Sequence, residues 1–179
     1  MERKQITRIV LIALFAALTA AGAFIKIPMV PVPVTLQTLF ALLTAVALPP
    51  LMALLSMAAY LFIGAIGLPI FTTGGGLAAM LGPTGGFLIG MLPAVFAASL
   101  IMKAIPSKLR IAAIAASLAA TAIIYFIGVP WLSVKMDIPL SAALASGFLP
   151  FIPGDTLKII IAVIIAPVIR PRVQQLLEQ

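Results

Sequence analysis

The chain has 179 residues, 64% of them hydrophobic and only 8% charged, with a mean hydropathy of +1.30 and a net charge of +7. Ordinary globular domains carry about 25% charged residues, and no soluble fold hides a run such as Ile27 to Met102, which contains no Asp, Glu, Lys or Arg. Without cysteine or histidine, and with Glu2, Asp137, Asp155 and Glu178 as the only acids, thiol chemistry, nucleophilic triads, most metal sites and paired-carboxylate catalysis are excluded. The composition predicts an all-α, polytopic integral membrane protein of one domain, residues 1–179, that is not an enzyme and needs no metal or cofactor. Its positive charge would suggest nucleic acid in a soluble chain, but here it reads as Lys and Arg at cytoplasmic helix ends.

In chain order, Arg3, Lys4 and Arg8 precede an apolar helix predicted to reach about Ile25. The basic start, apolar stretch and small residues Ala20–Ala23 imitate a secretory signal peptide. No soluble domain follows, so the segment reads as an uncleaved first span. Ala13, Ala17 and Ala21 fall on one face at four-residue spacing, with Ala16 and Ala20 in a parallel row. Small residues so placed let another helix approach closely in lipid, either inside the bundle or from a partner.

Lys26 closes this helix, and Pro28, Pro31 and Pro33 predict an extended loop through Val34. A short second span, Thr35 to Leu48, opens with Gln37 and Thr38; Pro49-Pro50 punctuates it, and a third span runs to about Gly67. The stretch Leu68–Gly86 is glycine-rich, and Gly74, Gly75, Gly76, Gly85 and Gly86 permit unusual dihedrals with exposed amides able to meet a ligand. Gly82-Pro-Thr-Gly-Gly86 lacks the Gly-Lys-Ser/Thr of a phosphate loop, so ATP hydrolysis is not expected. Phe87–Met102 is the fourth span, Lys103–Arg110 a basic turn, and Ile111–Ile127 the fifth span. Gly128-Val-Pro-Trp131 then leads into a loop with Lys135 and Asp137, where Trp131 suits an interface. Ser141–Gly147 reads as a short interfacial helix before the sixth span, Phe148–Ile169.

Six spans put both termini on one side. The positive-inside rule makes that side cytoplasmic, since Arg3, Lys4, Arg8, Lys103, Lys108, Arg110, Arg170 and Arg172 fall there, against Lys26 and Lys135 on the other. Lys158 is left inside the sixth span, three residues after Asp155, and on a helix the two share a face. A charge at the bilayer centre costs at least about 2.5–3.5 kcal/mol, so such residues face a cavity, a partner or each other. Pro153-Gly154 just before them offers a backbone break that frees amides beside the carboxylate. The pair is either a self-neutralising structural bridge or a polar binding site. Both irregular loops lie on the outward face beside it, which predicts an outward pocket with apolar walls and a few polar groups, to which Gln37 and Thr38 add hydrogen bonds.

The chain resembles a known family through Gly67-Leu-Pro-Ile-Phe with Gly74-Gly-Gly76, Gly82-Pro-Thr-Gly-Gly-Phe-Leu-Ile-Gly90, Gly128-Val-Pro-Trp-Leu132 and Pro150-Phe-Ile-Pro-Gly-Asp-Thr-Leu-Lys158. These motifs, in order over nearly the whole length, are similar to the BioY family, the biotin-specific S components of energy-coupling-factor (ECF) transporters. The resemblance implies a six-helix membrane fold, biotin captured from outside, and assembly with an EcfT-like coupling protein and two ATPases. It also implies that Asp155 and Lys158 are the family's acid and base, and that the alanine face of the first helix docks the coupling protein. The chain departs from relatives that carry a further Asn or Arg near the glycine loop or the fourth helix, having no Asn and no Arg between Arg8 and Arg110.

Biotin offers two ureido N–H donors, a ureido carbonyl, an apolar ring sulfur and chain, and a carboxylate. Asp155 suits the N–H groups; Lys158 suits either the carbonyl or the carboxylate, and glycine amides suit whichever end remains. The alternatives are capture of another small vitamin, or a non-transport subunit that assembles membrane proteins.

Overall fold

The computed structural model describes residues 3–179, and Glu2 lies outside them. The helices are α1 (Arg3–Phe24), α2 (Gln37–Ala47), α3 (Pro50–Ala65), α4 (Gly76–Met80), α5 (Gly85–Ala104), α6 (Leu109–Met136), α7 (Leu140–Gly147) and α8 (Ile152–Glu178). A single 3-10 turn, Leu149–Phe151, leads into α8. The proline segment after α1 is a small antiparallel hairpin, β1 (Lys26–Ile27) against β2 (Val34–Thr35), where an extended loop was expected. Its prolines fill the connecting turn, so the two short strands lose no ladder hydrogen bond to them.

Among the described residues, four helical stretches are long and apolar enough to cross a bilayer: α1, α5, α6, and α7 with α8 taken together. The other two predicted spans are short. At 11 residues α2 extends roughly 16 Å and at 16 residues α3 extends roughly 24 Å, against a hydrocarbon core of about 30 Å. The short α2 is tolerated because protein, not lipid, surrounds it: nine of its 11 residues are buried among α1, α3, α5, α6 and α8. Its last carbonyls find donors there. Ser99 Oγ donates to Leu48 O at 2.6 Å and Arg170 Nη1 to Val46 O at 3.0 Å, which satisfies groups that cannot be left bare in hydrocarbon.

The most extensive helix pair is α5 with α6, and small residues permit it. Gly86, Gly90, Ala94 and Ala98 recur every four residues along α5, while Ala112, Ala113, Ala116 and Ala120 are buried on α6. A methyl added at Gly128 would come within 2.4 Å of the Phe87 ring.

Two helix ends depart from expectation. The fifth span is expected to end near Ile127, with Gly128-Val-Pro-Trp131 leading into a loop, yet α6 runs on through Pro130 to Met136 and takes Trp131 and Lys135 with it. One proline removes one backbone bond, and two anchors beyond it outweigh that loss: Leu132 is fully buried, and Trp131 Nε1 donates to Gly82 O at 2.9 Å. The helix stops at Asp137, in the left-handed region with φ 52°, where Ser133 O accepts its N–H. Likewise α8 continues through Pro167 and Pro171 to Glu178, and buries one stripe: Asp155, Lys158, Ala162, Ala166, Arg170 and Val173.

The bundle has two distinct ends. At one, a hollow is bordered by Arg8 of α1, Pro49 before α3 and Leu177 of α8, which gathers the first turn of α1, the α2–α3 corner and the end of α8. At the other, the hairpin, the start of α2 and the loop after α3 meet, and α6 and α8 supply the floor.

Candidate functional site

Helix α8 begins at Ile152, so Pro153 occupies a first-turn position where its missing N–H costs no bond. The Pro-Gly pair thus starts the helix, where a break before it was expected. Asp155 sits in that first turn, where the positive end of the helix dipole favours a carboxylate, and is 8% exposed. Lys158, one turn on, is 5% exposed, and its Nζ lies 2.8 Å from Asp155 Oδ1.

Neither charge is satisfied by its partner alone. Lys158 Nζ also donates to Thr38 Oγ1 on α2 at 2.8 Å, and the Tyr125 hydroxyl on α6 donates to Asp155 Oδ2. The result is a chain, Tyr125–Asp155–Lys158–Thr38, across three helices. The Tyr125 ring is held edge-on by Phe148 at 4.8 Å, Phe87 at 6.0 Å and Phe151 at 6.5 Å between centroids.

A second network starts at Gln37, on the same turn as Thr38. Its Nε2 donates to Tyr60 Oη at 2.7 Å, and Tyr60 donates on to Ile70 O at 3.2 Å. Thr72 Oγ1 donates to Gln37 Oε1 at 3.3 Å, while Lys26 Nζ reaches over from the hairpin to Thr72 O at 2.8 Å.

Both networks face one cavity, with about 510 Å³ of atom-free space counted out to its open mouth. Its polar lining is Asp155, Lys158, Tyr125, Thr38, Gln37, Thr35, Thr72 and Thr84; its apolar lining is Val32, Pro33, Phe87, Leu88, Met91 and Phe151. Apolar walls combined with polar groups that converge on one floor are how sites for small organic molecules are built. A second hollow of about 270 Å³ shares Thr38, Tyr125 and Asp155 with the first and adds Leu42, Thr121 and Ile124. Leu42 follows Thr38 by one turn and Thr121 precedes Tyr125 by one turn, so this hollow lies deeper. The hydrogen-bonded chain is therefore the floor of the outer cavity.

Of the residues singled out from sequence, Asp155, Lys158, Gln37 and Thr38 come together here. The glycines do not line the cavity. The Gly74 N–H is taken by Phe71 O at 3.0 Å and the Gly85 N–H by Gly82 O at 3.0 Å, so neither amide is free for a ligand. Gly74 (φ 116°) and Gly76 (φ 85°) turn the chain, and Gly85 and Gly86 admit close neighbours: a methyl on Gly86 would fall 2.3 Å from Trp131 Cβ. They border the stretches that carry Thr72 and Thr84, which do line the cavity. On α1, Ala13, Ala17 and Ala21 are exposed along the outer face, while Ala16 is buried and Ala20 half-buried.

Sequence reasoning missed Tyr125, Thr72, Thr84 and the aromatic clasp. A signal for Tyr125 existed: the chain has two tyrosines, both within apolar helices, and a phenol in such surroundings needs a hydrogen-bond partner.

The fold and the sequence have solved and curated counterparts. The fold superposes with a TM-score of 0.84 on the crystal structure of the S-component for biotin from an ECF-type ABC transporter, at 32% identity, covering 100% of this chain and 95% of that one. A probable biotin transporter BioY from Pyrococcus horikoshii is 40% identical over 167 residues, covering 93% of this chain and 96% of its own length. The biotin transporter BioY of Thermotoga maritima is 37% identical over 154 residues, 86% of this chain and 89% of that protein. The model of the BioY family matches residues 1–175, and the chain belongs to that family.

Proposed function

We propose that this chain is the biotin-capture subunit of a vitamin uptake transporter, with Asp155, Lys158, Thr38, Gln37 and Tyr125 forming the polar part of its site. The observation that carries the reading is the hydrogen-bonded chain Tyr125–Asp155–Lys158–Thr38, centred on the buried pair Asp155 and Lys158, on the floor of a cavity with apolar walls. It fits a ligand with two N–H donors and a carbonyl on one compact ring, followed by an apolar body. The subunit performs no covalent chemistry. It selects biotin and hands it to an energised partner.

The chain lies in the cell membrane with six passes, the short α2 and α3 counted among them, and with both termini cytoplasmic. Arg8, the α2–α3 corner and the end of α8 meet at one end, and the cationic side chains Arg3, Lys4, Arg8 and Arg172 belong to that end, as the positive-inside rule requires. The cavity then opens outward. An EcfT-like coupling protein and two ATPase subunits supply the energy. Ala13, Ala17 and Ala21 are the docking row, supported by their exposure and four-residue spacing.

The experiment is identification by mass of the small molecule retained through purification, followed by titration of the stripped protein with biotin. Retained biotin and saturable rebinding are expected. Another vitamin would change the substrate, and no saturable ligand would leave an assembly subunit.

A further inference from the structure

Both oxygens of Asp155 already hold a donor, Lys158 Nζ on Oδ1 at 2.8 Å and the Tyr125 hydroxyl on Oδ2. The phenol has spent its single proton on the carboxylate, so what it can still give a ligand is a lone pair. Thr38 is the reverse case. Its oxygen accepts Lys158 at 2.8 Å, which leaves its own proton to donate. All four residues line the cavity, so a ligand meets a fixed order of acceptor and donor on the floor.

We infer that Tyr125 is a specificity-determining residue of the site: its hydroxyl oxygen accepts one ureido N–H of biotin, while Asp155 beside it holds the phenol through Oδ2 and Lys158 through Oδ1. This rests on the biotin reading and deepens it. Three features favour the role. A phenol that donates to a carboxylate is polarised into a better acceptor. Its ring cannot swing away, because Phe148, Phe87 and Phe151 close around it at 4.8–6.5 Å. Finally, Tyr125 borders both the outer cavity and the deeper hollow, so it sets how far a ring descends. A ligand carrying an oxygen where that N–H stands would press lone pair against lone pair, and a buried polar group left unmatched is the strongest basis for rejection.

The test uses purified protein in lipid nanodiscs, calorimetric titration, and three ligands: biotin and the two cyclic carbamates in which a ring oxygen replaces one or the other ureido N–H. Tyr125→Phe is expected to weaken biotin about tenfold. For one of the two carbamates, the one that lacks the N–H facing Tyr125, the same substitution should not weaken binding and should strengthen it, because no hydrogen bond is lost and the lone-pair repulsion is relieved. Replacing Tyr125 with 4-aminophenylalanine keeps a donor for Asp155 but makes a poor acceptor, and should reproduce this split even where the Phe protein folds badly. An equal loss for biotin and both carbamates would mean the hydroxyl acts only through Asp155, and would overturn the assignment, as would unchanged biotin affinity in both variants. Failure of the unaltered protein to bind biotin is a different result, which removes the underlying reading.

Discussion

Replacing Lys158 with Met takes an ammonium from between Asp155 Oδ1 and Thr38 Oγ1, each 2.8 Å away. Asp155 keeps the Tyr125 hydroxyl but loses its counter-charge at a position only 8% exposed. Breaking one side of a buried pair costs about 3–5 kcal/mol of stability, and truncating a charged partner in a buried contact costs about 2–5 kcal/mol of binding. With about 1.4 kcal/mol per decade, a central loss of about 3 kcal/mol weakens biotin roughly a hundredfold. The double variant Asp155→Asn/Lys158→Met separates folding from binding, because it leaves no unpaired charge. Its Tm should return most of the way to that of the unaltered protein, while its affinity stays roughly a hundredfold low. Thermal unfolding and calorimetric titration of the same nanodisc samples read the two quantities. Near-normal biotin affinity in the double variant would refute the reasoning and reduce the pair to a structural bridge.

Arg170→Met removes the donor on Val46 O and should lower Tm, by about 1–3 kcal/mol in stability, with a much smaller change in biotin affinity; equal losses in both would show that this end of α2 also shapes the site. Gly128→Ala forces a methyl against the Phe87 ring and should cost about 1–3 kcal/mol, recovered in unfolding experiments when Phe87→Leu is added. Ala17→Trp on the exposed face of α1 should leave biotin titration unchanged while co-purification of the coupling protein and energised uptake fail. A reporter fused after Gln179 should be active only in the cytoplasm; activity only outside would reverse the proposed topology.

Asp155 and Lys158 were legible because a charge inside an apolar span is expensive, and two such residues three apart must share a helix face. Gln37 and Thr38 were legible by position, as the polar opening of an otherwise apolar span. Tyr125 was not, since among Ile123, Ile124 and Phe126 a tyrosine reads as one more large apolar residue until its hydroxyl is placed. The engagement of the Gly74 and Gly85 amides was hidden for a related reason. Glycine marks a place where backbone bends or neighbours crowd, but sequence does not say whether the N–H faces a ligand or, as at Gly74 and Gly85, a carbonyl of its own turn. Pro130 shows the limit of local rules: its cost is one bond, and the anchors that offset it, Leu132 and Trp131 on Gly82 O, are tertiary.

The energetics of the buried pair bear on why it exists at all. Apolar residues of similar volume in place of a buried ion pair are often neutral or stabilising by about 1–4 kcal/mol. A bundle whose small residues already interlock α5 and α6, and whose α8 stripe packs Ala162 and Ala166 at full burial, gains little from Asp155 and Lys158 as a fastener. Yet three helices act to satisfy the pair: α8 offers its first turn to Asp155, α6 adds Tyr125 and α2 adds Thr38. Satisfying the charges in advance has a consequence for binding. The side chains need no reorganisation when a ligand arrives, and a ligand gains the full value of its hydrogen bonds because the cost of ordering their partners was met on folding. That a chain with so few charged residues places two of them on a cavity floor, braced by hydrogen bonds from three helices, supports the recognition role proposed for that floor.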